Sequence, residues 1–247
     1  MAAINDPAAP APKRSRRGLA IIGTIALLGA LGFFALGVWQ LERLAWKNGL
    51  VAAVEARSTA APTDPSSDGT WQSFDPDRDE YRHVSVTGTF DPDVETLTQA
   101  VTAYGGGFWV MTPLHLANGR SILVNRGFIP PENREKSSRQ TTLAGPLTVT
   151  GLLRQTEPDG GFLRSNDPAN NRWFSRDVTA IAKAEGLTDP APFFIDQERV
   201  GTGYPIGGLT VLSFPNNHLI YALTWFSLSL MLLAAFAYTL WDRKRPT

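Results

Sequence analysis

The sequence predicts a two-span membrane protein of the α+β class, in which two transmembrane helices bracket an exported, mainly antiparallel β-barrel or sandwich with one or two helices. Three observations carry this. Residues 18–41 and 219–241 are runs of 24 and 23 residues without a charged side chain, and about 20 apolar residues span the hydrocarbon core as a helix. Between them, short runs alternate apolar and polar residues and are punctuated by turn residues, the pattern of half-buried strands. Lys and Arg gather outside the spans: Lys13, Arg14, Arg16 and Arg17 face one Asp6, and Arg243, Lys244 and Arg245 face one Asp242.

The boundaries follow directly. Residues 1–17 form a tail, 18–41 the first span, 42–217 the exported domain, 218–241 the second span and 242–247 a second tail. The exported segment holds 16 Lys and Arg against 21 Asp and Glu. Cytoplasmic flanks collect Lys and Arg, so both termini are expected in the cytoplasm and the domain outside. Trp39, Trp46, Trp225 and Trp241 stand at or near the span ends, as interfacial aromatics do. Ala35-Leu36-Gly37 is a loose signal-cleavage pattern, but the first run exceeds the 7–15 residues of a signal core. The N-terminal tail lacks the length and serine content of an organelle transit peptide, so a bacterial inner membrane is expected, with the domain periplasmic.

Within the domain, residues 42–58 keep helical composition beyond the first span. Thr59 to Asp79 is rich in Pro, Asp and Ser and reads as a surface loop. Tyr81–Phe90, Phe108–Leu116, Ser121–Ile129 and Leu147–Leu153 read as strands, with Asn118-Gly119 as a turn. Phe193–Ile195 and Leu209–Leu212 read as closing strands. Asp177–Glu185 reads as a helix, capped by Ser175 and stopped by Gly186.

Several chemistries are excluded. The chain has no cysteine, which removes disulfides, iron–sulfur clusters and thiol catalysis. It has no H-E-x-x-H and no G-x-S-x-G, and its three histidines are scattered; nothing resembles a hydrolase or a zinc cage. Basic residues of the domain are dispersed, unlike a nucleic-acid surface. An enzyme is not expected.

His218 opens the second span. On a helix His218, Tyr221 and Trp225 fall at i, i+3 and i+7, on one face. At the outer end of the first span Trp39, Arg43 and Trp46 fall at i, i+4 and i+7, again on one face, with Lys47 beside them. An imidazole, aromatic rings and cations at one membrane surface would suit a haem: a ring nitrogen for iron, aromatics over the porphyrin, cations for its carboxylates. The same residues also suit an interfacial belt without any ligand. Arg126-Gly127-Phe128-Ile129-Pro130 ends a strand, where an arginine can bond carbonyls.

Across nearly its whole length the chain resembles the surfeit locus protein family, assembly factors of haem–copper cytochrome oxidases. The match runs through Gly37, Trp39, Gln40, Arg43, Trp46 and Lys47, then Tyr81-Arg82, Gly88, Phe90, Trp109 and Thr112-Pro113-Leu114. It continues through Val124-Asn125-Arg126-Gly127 with Pro130, and through Asn217, His218, Tyr221, Ala222, Thr224, Trp225 and Phe226. The resemblance implies a haem-copper oxidase assembly factor that binds haem a and aids its insertion into subunit I, with haem a synthase as a further partner. His218 is then the iron ligand, Trp39, Tyr221 and Trp225 pack on the macrocycle, and Arg43, Lys47 or Arg126 pair with its propionates. No second histidine stands at the outer end of the first span, which leaves the other axial position open. The alternative is a haem-free scaffold that stabilises a subunit I intermediate.

Overall fold

The computed structural model describes residues 16–66, 71–139, 143–158, 160–161 and 164–244. Asp6, Lys13, Arg14 and Arg245, part of the charge asymmetry above, lie outside the described residues. The chain divides into two units: a helical one, residues 1–51 with 214–247, and a sheet domain, residues 52–213.

The helical unit contains most of α1 (Arg16–Thr59) and all of α4 (His218–Asp242). Both are long and apolar enough to cross a membrane. Helix α1 continues without a break past Leu41 to Thr59, as residues 42–58 predict, because no proline or helix-stopping cluster interrupts it. Small residues let the pair approach closely. The ring of Phe226 fills the space that a side chain at Gly37 would need, and Phe236 does the same at Gly23. Phe33 stacks on Trp225 at 5.6 Å, and Ser229 donates to the Ala30 carbonyl at 2.9 Å, satisfying a hydroxyl buried between helices.

The sheet domain is a five-stranded barrel with one added strand. Strands β1 (His83–Phe90), β2 (Thr96–Thr102), β3 (Gly105–His115), β4 (Ser121–Ile129), β5 (Pro146–Gln155) and β6 (Pro190–Gln197) run in the order β1-β5-β6-β4-β3-β2. The barrel closes where Thr89 and Phe90 of β1 pair with His115 and Leu114 of β3. Strand β2 lies on the first half of that same β3 edge. Among the six described strands every pairing is antiparallel except β4–β6, and β4 is buried along its whole length, as a parallel-paired strand covered on both faces must be. Val84, Val86, Phe90, Leu114, Ile122, Val124, Val149 and Phe193 fill the interior. Met111, Leu123 and Phe194 face outward beneath α3 (Val178–Ala184), whose Val178 and Ile181 cover them with Trp173.

Four local expectations differ. Strand β2 was unannounced because its polarity is inverted: Thr96, Thr98 and Ala100 are its buried face, while Val101 is 90% exposed. Leu209–Leu212 forms no strand; the barrel is already closed, and Thr210 instead donates to Asp196 at 2.9 Å. Helix α3 is capped by Asp177, which accepts from Ala180 N at 3.0 Å, while the Ser175 hydroxyl accepts from Gly160 N. The segment read as a surface loop holds a short helix, α2 (Pro76–Asp79). It also sends Trp71 into the core against Phe193, with Arg120 stacked 3.4 Å above its ring.

Gly127 sits at φ +128°, and a Cβ there would meet the Ile206 carbonyl. The glycine therefore lets residues 205–207 lie on β4, where Phe128 and Ile206 exchange both backbone hydrogen bonds.

Candidate functional site

Helix α4 begins after Pro215-Asn216-Asn217, and its start is tied to α1 by polar contacts. Asn216 Oδ1 accepts from the His218 backbone N–H at 3.4 Å, while its Nδ2 donates to Asn48 Oδ1 at 2.9 Å. Lys47 Nζ donates to the Pro215 carbonyl. Above all, His218 Nδ1 lies 2.6 Å from Gln40 Oε1. Gln40 and Lys47 are seven residues apart and share one face of α1.

The Gln40 contact fixes the chemistry of the imidazole. An amide oxygen only accepts, so in the neutral ring the proton sits on Nδ1 and the Nε2 lone pair is left available. Nε2 makes no hydrogen bond among the described residues. A histidine whose second nitrogen is held by an acceptor is the arrangement found in metal-bound imidazoles, where the outer hydrogen bond sets tautomer and ring orientation. Among the described residues no group of three or more His, Asp or Glu is placed to hold a bare metal ion. One imidazole suits a metal that brings its other ligands with it, as a porphyrin iron does.

The remaining residues singled out by sequence distribute unevenly. Tyr221, one helical step off the α1-facing seam, is exposed, and Trp225 lies within the seam, stacked on Phe33. Lys47 is on the Gln40 face. Trp39 and Trp46 are not: they lie roughly 100–120° of helix rotation from Gln40 and are exposed. Arg43 stands with them, its guanidinium 4.3 Å from the Trp46 ring. Gln40 makes the contact to His218 that spacing alone did not select. The available signal was an amide inside an uncharged run, which needs a partner once it is buried.

Arg126 belongs to the sheet domain. Its side chain is 6% exposed in β4, with Nη1 3.5 Å from Glu95 Oε2 and Phe90 beneath its guanidinium. Burial pulls its pKa down to about 10; Glu95 opposes the shift and the Arg139 guanidinium adds to it.

The SURF1 family model matches residues 27–230 of this chain. The chain belongs to the SURF1 family. It is 36% identical to Surfeit locus protein 1 of Homo sapiens over 244 residues, covering 89% of this chain and 76% of the human protein. It is 36% identical to the Mus musculus protein of that name, covering 85% and 71%. A SURF1-like protein of Caenorhabditis elegans is 33% identical, covering 80% and 67%. SURF1 proteins are cytochrome c oxidase assembly factors, and the two long apolar helices of this member fit a membrane protein. The matched span contains Gln40, Lys47, Arg126 and His218.

Proposed function

We propose that this SURF1 protein carries haem a during assembly of cytochrome c oxidase and releases it to subunit I. The observation behind this reading is the His218–Gln40 pair: an imidazole held at Nδ1 with Nε2 open, at the first residue of a membrane-length helix. His218 Nε2 would ligate iron, and Gln40 would hold the ring in the binding tautomer. Tyr221 would offer an exposed aromatic face beside it. Haem supplies the redox-active metal of the finished oxidase; the protein would supply retention and orientation, without bond-making chemistry. Both termini would face the cytoplasm of a bacterial cell and residues 42–217 the periplasm, so that His218 would lie at the outer leaflet.

Purification in a mild detergent from cells that make haem a tests the reading. The spectrum of the isolated protein should contain the haem a bands. Protein that associates with subunit I but never carries haem would support the scaffold function in its place.

A further inference from the structure

The buried arginines of the sheet domain differ in how well they are satisfied. Arg176 donates to both Glu157 oxygens and to Asp196. Arg154 donates to Glu80 and Asp196. These groups form a closed network, which also takes in Asn125 and Thr210. Arg126 is equally buried, yet its five N–H donors meet one carboxylate oxygen, at 3.5 Å, among the described residues. That oxygen's carboxylate is itself engaged by Arg139 at 2.6 Å. A buried cation left this short of acceptors is destabilising unless something completes it.

Arg126 forms part of the wall of a cleft of about 90 Å³ shared with Pro92, Glu95, Lys136, Arg139 and Leu143. Three cations and one carboxylate leave this wall with an excess of positive charge. Lys136 spends two contacts on the carbonyls of Pro92 and Asp93, and an ammonium has three donors. The cleft has room for a small anionic group, and Arg126 and Leu143 also line a larger neighbouring cleft with Phe90, Leu147 and Tyr204.

We propose that the barrel of this protein binds an oxyanion, a phosphate or carboxylate group, at Arg126, flanked by Lys136 and Arg139. The planar guanidinium matches the two oxygens of such a group, and the desolvated surroundings strengthen the charge-assisted bonds. Glu95 positions Arg139 and keeps the empty site from carrying three unopposed cations. This site does not use His218.

Calorimetric titration of the full chain in a non-ionic detergent, at constant ionic strength against a chloride control, tests it. Inorganic phosphate forms one arm and acetate the other, which separates the two head-group chemistries. Saturable binding in at least one arm is expected. Arg126→Lys keeps the charge but loses the fork, and should weaken binding about tenfold or more, the loss of one charge-assisted hydrogen bond. Lys136→Gln, at an exposed position where folding is not at risk, should weaken it in the same direction. His218→Ala should bind the anion like the unaltered protein. Absence of saturable binding in both arms, or unaltered affinity in Lys136→Gln, overturns the proposal even where Arg126→Lys does not fold.

Discussion

His218 donates from Nδ1 to Gln40 Oε1 at 2.6 Å, across 178 residues of sequence. That bond joins the first residue of the second apolar helix to the last turn of the first uncharged run. If it sets the imidazole for iron, its loss is felt at the metal. Gln40→Leu removes the acceptor and keeps the apolar volume. We expect haem affinity to fall by about 10–100-fold, the usual cost of deleting an outer-shell partner, with membrane insertion and protein level unchanged. A spectrophotometric haem titration of the purified variant measures this.

The charge asymmetry predicts both termini inside. The chain lacks cysteine, so single introduced thiols report cleanly. Ala117→Cys, at the exposed tip between β3 and β4, should react with an impermeant maleimide in spheroplasts. A cysteine appended after Thr247 should react only after lysis. Equal labelling of both would rule out the two-span arrangement.

Thr112 is fully buried in β3, and its hydroxyl has no hydrogen-bond partner among the described residues. Its desolvation is uncompensated, so Thr112→Val should stabilise the domain by about 1–2 kcal/mol. A raised unfolding midpoint checks this; a lowered one would mean that the hydroxyl is satisfied in solution.

Glu157 gives the domain an acid-sensitive contribution. Burial pushes its pKa up, but hydrogen bonds and charge from Arg176 outweigh burial and hold it below the ordinary glutamate value. A carboxylate with a depressed folded pKa binds fewer protons folded than unfolded. Its stabilisation is therefore complete above the unfolded glutamate pKa of about 4.3 and is lost as pH falls through the lower folded value. Unfolding midpoints measured from pH 7 downward should decline in that acid range, and Glu157→Gln should flatten the decline while lowering stability at neutral pH.

Much of this architecture was legible because its signals are local. An uninterrupted apolar run needs no tertiary knowledge to be recognised as a long apolar helix. Ser121–Ile129 and Tyr81–Phe90 announced strands because most of their buried residues are apolar. Strand β2 stayed hidden because tertiary packing buries Thr96 and Thr98 and exposes Val101, reversing the sign that periodicity reads. At the candidate site, His218 was legible as a polar residue at a span boundary, but its partner was not. The exposed and helix-facing sides of α1 are both apolar, so periodicity could not phase the helix. Trp39, Arg43 and Trp46 formed a plausible face by spacing; small residues such as Gly37 set which face meets α4, and that face carries Gln40.

We propose that His218 Nε2 holds the iron of haem a. The most direct measurement is haem content per polypeptide, taken from the absorbance of protein purified in parallel as wild type, His218→Ala and His218→Gln from cells that make haem a. Neither replacement supplies an imidazole nitrogen, so both should fall to background while protein yield and membrane insertion stay normal. Full haem content in His218→Ala protein would contradict the claim and leave His218 as an interfacial residue bound to Gln40.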